Sequence, residues 1–392
     1  MKIEQRTADL AEITSVLERM SRRTRSEAGR SMLRGMLPAP SIKAARQRQE
    51  LLKSYARYVE TRGELPWDER MKPLGPLLEN AGETALLSGV ELLPFRILIG
   101  LSKRIKESLR EARNDIPGVE RLAEGIRDLD EEFEKLQVLS DDGELYDGAS
   151  EKLAELRLSL RDLTSRARSR CAAISVEPSL APMLQDRVVH FRNGRFALLV
   201  RAEDSGRFDG IVLDRSSSGK GVYLEPKELV PLNNRIQVLR REESEEERRI
   251  LSALTAMILA RRLPLLETES AVARIDVLYA CDRFLVEPPW TLPELDDRSR
   301  FHFKELWNPL IGKECVPVSI HCGERFRQLI ITGPNTGGKT VVLKSVAIGI
   351  FLALSGFPVP AAEGTQVGWI DFMAADIGDE QSIENDLSTY SS

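Results

Sequence analysis

At 392 residues the chain has room for roughly two or three domains. Charged residues make up 30% and aromatics 6%, which favours long solvated helices and argues against a β-rich sandwich. A formal net charge of −5 argues against a wholly basic nucleic-acid binder, although a local basic surface is compatible with it.

From Met1 to about Asp115 the pattern is helical. "IEQRTADLAEITSVLERM" places Leu10, Ile13, Leu17 and Met20 on one face, and "LPAPS" and "ELPWDE" read as Pro-bearing turns. Leu122, Ile126, Leu129, Phe133 and Leu136 continue the four–three spacing until "SDDGELYDGAS" breaks it, with Ser150 as the cap of the next helix. That helix carries Leu153, Leu156, Leu160, Leu163 and Ala167. A second with the same spacing starts at Leu229, Leu232, Ile236 and Leu239 and resumes at Ile250, Leu254 and Met257. Two such helices can bury each other's seams as an antiparallel pair, about 40 Å long for around 28 residues. The middle of the second, "RREESEEERR", reads as an exposed charged rod.

Between the two helices "RVVHFRNGRFALLV" is a pair of β-like runs about Asn193-Gly194, the dipeptide of a type I′ hairpin. "GRFDGIVLDRSSSGKGVYLEPKELV" adds two strands around a Ser/Gly loop, so a small β module is expected at the end of a helical pair. Further on, "SAVARIDVLYACDRFL" reads as one more amphipathic helix, ended by "EPPW", and an α/β domain begins near Phe301. The cysteines, Cys171, Cys281, Cys315 and Cys322, form no C-x-x-C and read as buried or incidental thiols of a reducing compartment. The N-terminus lacks the apolar core of a secretory signal, and no apolar run approaches the roughly 20 residues of a membrane span; a cytoplasmic protein is expected.

The strongest local signal is Gly333, Pro334, Asn335, Thr336, Gly337, Gly338, Lys339 and Thr340, which satisfies G-x-x-x-x-G-K-[ST]. Glycines let backbone N–H groups close around phosphate oxygens, where a side chain would obstruct them. Lys339 would reach the β- and γ-phosphates of ATP, the Thr340 hydroxyl would ligate Mg²⁺, and the following helix would turn its positive end to the anion. The flanking "LIIT" and "VVLKSVAIGI" supply the strand and helix that separate this motif from an ordinary Gly-rich turn. Hydrolysis needs a metal-holding carboxylate as well; Asp376, with Asp379 and Glu380 after it, is a candidate against the plainer reading of an Asp ending an apolar run.

"TGPNTGGKT" followed by "IGDEQSIENDLSTYSS" resembles the ATPase of the MutS family, specifically its second bacterial branch (MutS-two). "GRFDGIVLDRSSSGKGVYLEPKELVPLNNRI" and "DDGELYDGASEKLAELR" are similar to further hallmarks of that branch, and the resemblance covers essentially the whole chain. It implies a multidomain α plus α/β protein: a helical core, a long antiparallel helical lever, a small β-rich clamp at its tip and a partial P-loop, ABC-like ATPase domain. On this reading the core occupies 1–149 and 263–295, the outgoing lever helix 150–178, the clamp 179–228, the returning helix 229–262, and the first half of the ATPase 296–392. "LSTYSS" resembles the ABC-type signature, with Ser388 as the serine that contacts the nucleotide of the opposing subunit. The acidic metal-binding strand, its catalytic carboxylate, the switch His and a C-terminal nuclease domain would then lie beyond Ser392, which leaves hydrolysis by this chain open. Asn308 in "ELWNPLI" departs from the family, which usually has His there, and so unsettles the base-side nucleotide contacts. Phe303-Lys304-Glu305 matches the Phe-x-Glu wedge of the mismatch-reading branch, but it lies at the start of the ATPase and reads as coincidence, so a mismatch sensor is disfavoured.

The β module carries Arg192, Arg195, Arg207, Arg215 and Lys220, several beside turns. Cations on loops can neutralise phosphates without reading sequence, and by composition alone they would count as ordinary solvated charge. The clamp resemblance favours contact with nucleic acid. It implies an ATP-driven homodimeric clamp on branched or double-stranded DNA, on stalled or collided ribosomes through rRNA, or on both. The rivals are a non-hydrolytic nucleotide-dependent binding or assembly module and, less well fitting, a chromosome-organising coiled-coil ATPase, in which the phosphate loop would precede the rods.

Overall fold

A computed structural model describes residues 1–80, 86–217, 219–287, 289–332 and 338–375. In chain order it contains strand β1 (Lys2–Ile3) and helices α1 (Gln5–Leu10), α2 (Ile13–Ser21), α3 (Glu27–Arg34), α4 (Ile42–Arg62), α5 (Gly75–Asn80), α6 (Gly89–Ala112), α7 (Asp130–Leu136) and α8 (Glu151–Ser175). Strands β2 (His190–Arg192), β3 (Arg195–Arg201), β4 (Gly210–Arg215) and β5 (Gly221–Pro226) precede helices α9 (Val230–Ala260) and α10 (Arg262–Leu285). Strands β6 (Glu294–Asp296), β7 (Phe301–Leu306) and β8 (Val318–Cys322), helix α11 (Lys339–Ser355) and strands β9 (Gln366–Gly368) and β10 (Phe372–Met373) follow. The protein is thus mixed helix and sheet. Two compact units share the chain: Met1–Glu79 with Pro94–Asp130 and Arg261–Ser392, and Asn80–Leu93 with Glu131–Ala260. No helix among the described residues is long and apolar enough to cross a membrane.

In the first unit α10 packs against α2, α3 and α4. Its sequence alternates apolar with charged residues, yet it is enclosed on nearly every side: Val272, Ile275, Val277, Ala280 and Phe284 are buried, and so are Glu269, Asp276 and Asp282. The amphipathic reading fails because these carboxylates find partners inside. Glu269 accepts the Leu74 N–H at 2.7 Å, and Asp276 accepts the N–H groups of Arg25 and Ser26, both at 2.8 Å, and the Ser26 hydroxyl at 2.6 Å. The same Ser26 oxygen accepts from the Gly29 N–H at 3.0 Å and so caps α3.

A four-stranded sheet in the order β6-β9-β7-β8 lies in the same unit, with β6 and β9 parallel and β7 antiparallel to both its neighbours. Phe303 of β7 is completely buried, and its ring stands where a Cβ on Gly349 of α11 would come within 2.8 Å. The phenylalanine of the Phe-x-Glu tripeptide is therefore a packing residue. α11 itself is buried continuously from Ala347 to Ser355. One expectation is not met: residues 329–332, "LIIT", form no strand, and Leu329 and Ile330 are 43% and 85% exposed. An apolar β-branched run becomes a strand only where a neighbour takes its ladder of N–H and C=O groups, and no described strand flanks this one.

In the second unit Ser150 caps α8 by accepting the Leu153 N–H at 3.0 Å. α8 and α9 run antiparallel: Ser150 meets Glu246, Arg157 meets Glu243 and Glu247, and Arg170 meets Glu228. Strands β2-β3-β5-β4 form an antiparallel sheet, and Asn193 (φ 51°) with Gly194 (φ 77°) makes the two-residue turn from β2 to β3. Phe196, Leu198, Val200, Val222 and Leu224 pack in one apolar core with Ala167, Cys171 and Ile174 of α8 and Ile236 of α9. Asn233 pins the sheet to α9: it accepts the Phe196 N–H at 3.1 Å and donates to the Phe196 carbonyl at 3.2 Å and to Glu225 at 2.9 Å.

Candidate nucleotide site and nucleic-acid interface

Gly333, Pro334, Asn335, Thr336 and Gly337 lie outside the described residues, as do Asp376, Asp379, Glu380 and Ser388. The far end of the motif is described. Gly338 adopts the left-handed conformation (φ 76°, ψ 15°) and opens α11, its carbonyl accepting the Val342 N–H at 3.0 Å. A Cβ at Gly338 would meet nothing within 4 Å, so glycine is needed there for the backbone angle and not for packing. Lys339 is half-buried and Thr340 exposed, in the first turn. That turn carries no acidic residue, and no side chain of the capping residue takes up its amides. A helix start that carries a hydroxyl and a lysine suits a triphosphate with its metal, since the positive end of the helix dipole favours an anion.

Asn308, at the family's usual His position, is 3% exposed. Its Oδ1 accepts the Leu310 N–H at 2.9 Å, and its own N–H donates to the Cys315 sulfur at 3.1 Å. Here the side chain closes the turn after β7. Of the cysteines, Cys171 and Cys281 are buried, and burial pushes the Cys171 thiol up to about 12.

The five cations singled out in the β module do not form one patch. Arg192 and Arg195 flank the Asn193-Gly194 turn, the end of the sheet beside α9. Arg192 is exposed, donates to the Tyr223 hydroxyl at 3.2 Å and lies 4.6 Å from that ring's centre. Arg195 grips the buried Glu225 at 2.8 Å and donates to Asn234 at 2.7 Å, so its charge is spent on holding the sheet to the helix. Arg207, in the connection from β3 to β4, is exposed with Asp204 3.9 Å away. Arg215 and Lys220 are exposed at the opposite end of the sheet and make no ion pair among the described residues.

Register brings a sixth cation to that end. Arg201, the last residue of β3, pairs with Gly221, next to Lys220, while Arg215 pairs with Val222 on the same strand, and Arg201 too is exposed without an ion pair among the described residues. In the sequence Arg201 looks like the ordinary polar end of an apolar strand. Only strand pairing joins it to Arg215 and Lys220.

No family model matches the chain. It is 34% identical over 391 residues to Endonuclease MutS2 of Symbiobacterium thermophilum, 33% over 396 residues to Endonuclease MutS2 of a Geobacillus species, and 32% over 394 residues to Endonuclease MutS2 of Clostridium botulinum. These alignments take in 99–100% of the chain and 49–50% of the relatives, so the chain spans half the length of the curated relatives it matches. With the phosphate-loop motif at the start of α11 and the small sheet on an antiparallel helix pair both falling inside that continuous match, the chain belongs to the MutS2 branch of the MutS family.

Proposed function

We propose that this chain binds Mg-ATP at residues 333–340 and grips a nucleic acid through the cationic end of the β2–β5 sheet, as a nucleotide-dependent clamp of the MutS2 type. The observation that carries the reading is a complete G-x-x-x-x-G-K-[ST] motif whose last glycine holds a left-handed turn into α11. Backbone amides of the loop would bind the phosphates, Lys339 would neutralise the β- and γ-oxygens, and the Thr340 hydroxyl would hold Mg²⁺. The metal supplies charge neutralisation between those phosphates. Ser388 would act on the nucleotide of a second copy, which makes the working unit a homodimer. α8 and α9 would serve as the lever that carries the sheet, with Arg201, Arg207, Arg215 and Lys220 against the phosphate backbone, while Arg195, at the other end beside Arg192, holds the sheet to α9. For the whole protein this reading gives an ATPase acting on branched DNA, with nuclease action, or on rRNA of stalled ribosomes.

Isothermal titration tests the nucleotide half. Mg-ATP should bind the chain, and Lys339→Ala should remove most of that affinity; equal affinity in the variant would defeat the assignment. Steady-state turnover by this chain would assign Asp376 the metal. The grip is tested by salt-dependent binding to duplex, four-way junction and rRNA fragments. Arg207→Glu, Arg215→Glu and Lys220→Glu together should weaken all three, and indifference would remove the sheet from the interface.

A further inference from the structure

A hollow of about 260 Å³ opens in the first unit. Met32 of α3, Leu51 of α4 and Leu278 of α10 form its walls with Met36, and Gly356 and Phe357, which follow α11, close it. Its apolar lining is that of a small-molecule site and its volume is just below the usual range of about 300–1,000 Å³, which limits an occupant to a compact molecule; methionine side chains adapt to an occupant's shape.

The charges on the same lining are one-sided. Arg48, Arg121 and Arg274 line it together with one acidic residue, Glu124, so the lining holds three cations and one anion. None of the three arginines forms an ion pair among the described residues. Arg48 donates to the carbonyls of Leu37 at 3.1 Å and Ser355 at 3.2 Å, and Arg274 donates to the carbonyl of Glu124. Carbonyl oxygens satisfy N–H groups without cancelling charge. Burial pulls the half-buried Arg48 guanidinium below its ordinary pKa, as expected of a cation without a counter-ion. Unneutralised guanidiniums beside a low-dielectric hollow focus positive potential at its mouth.

We propose that this hollow binds a compact organic carboxylate, an alkyl or aromatic body of about ten non-hydrogen atoms. The body lies against Met32, Met36 and Leu278, and the carboxylate meets the exposed Arg121 and Arg274. The assignment does not draw on the nucleotide reading: among the described residues of the motif, Gly338, Lys339 and Thr340 do not line the hollow.

Octanoate and octan-1-ol are matched probes, alike in body and different in charge. Titrated calorimetrically into the full chain, octanoate should bind one-to-one and about tenfold or more tighter than the alcohol, with an affinity that falls as salt rises. Arg121→Glu with Arg274→Glu should erase that preference. Met36→Trp, at a partly exposed wall, should fill the hollow and abolish binding of both probes while its circular-dichroism melt stays that of a folded chain. Absence of saturable octanoate binding would overturn the proposal. So would equal affinity for the alcohol, or binding unmoved by charge reversal or by a filling variant that still folds.

Discussion

Asp276 is 1% exposed, and both its oxygens are occupied by groups from the turn before α3. Burial outweighs those bonds and raises its pKa above the ordinary value. The fold adds a second constraint at Gly29, where a Cβ would come within 2.2 Å of the Asp276 carboxylate. A flexible side chain could swing clear, but one held by three hydrogen bonds cannot do so without losing them. Gly29→Ala should therefore lower stability by about 1–3 kcal/mol in urea unfolding, and an unchanged midpoint would show that the carboxylate is not locked. Gly338 presents the opposite case. With open space around it, Gly338→Ala should cost only the left-handed backbone, about 1–2 kcal/mol, and weaken Mg-ATP binding by distorting the loop's exit.

Between the helices α8 and α9, the charged stretch that reads as an exposed rod is partly a seam of paired charges. Arg157, one-fifth exposed, meets Asp147 at 2.8 Å, Glu243 at 3.0 Å and Glu247 at 2.7 Å. Burial alone would lower the pKa of its guanidinium, but the three carboxylates outweigh it and raise it. Arg157→Ala would leave three carboxylates close together without their shared cation, and a thermal melt at neutral pH should show a lowered midpoint. Full stability in that variant would mean the cluster is solvated. Glu246 responds to acid. Bonds from Arg249 and Ser150 hold its carboxyl down to about 2, against 4.5 when free. A folded value below the unfolded one means that its contribution is complete above about 4.5 and drains as pH falls toward 2. Glu246→Gln should flatten the stability–pH curve in that interval, and an unaltered slope would assign acid sensitivity elsewhere.

For the whole molecule, a net charge of −5 coexists with Arg201, Arg215 and Lys220, exposed at one end of a sheet and without an ion pair among the described residues, so affinity for nucleic acid should depend on local charge. Four exposed cations, Arg201, Arg207, Arg215 and Lys220, set a limit of about −3.6 on the slope of log affinity against log salt for duplex DNA. Each neutral substitution should reduce that slope by about 0.9, and a slope unchanged by all four would place the contact elsewhere. How far the sequence reaches can be judged from the same features. The apolar spacing of α8 and α9, the cap at Ser150 and the turn at Asn193-Gly194 were legible because each depends on residues a few positions apart. The phosphate-loop motif was legible for the same reason, as eight consecutive residues. The enclosure of α10, the exposure of 329–332, the ion cluster around Arg157 and the division of the basic residues between two ends of one sheet were not. A glutamate on a solvated face and a glutamate bound to Arg157 have the same local sequence. Their difference is made by antiparallel register, which brings 157 to 243 and 201 to 221, and burial then decides whether a charge is screened by water or held by a partner.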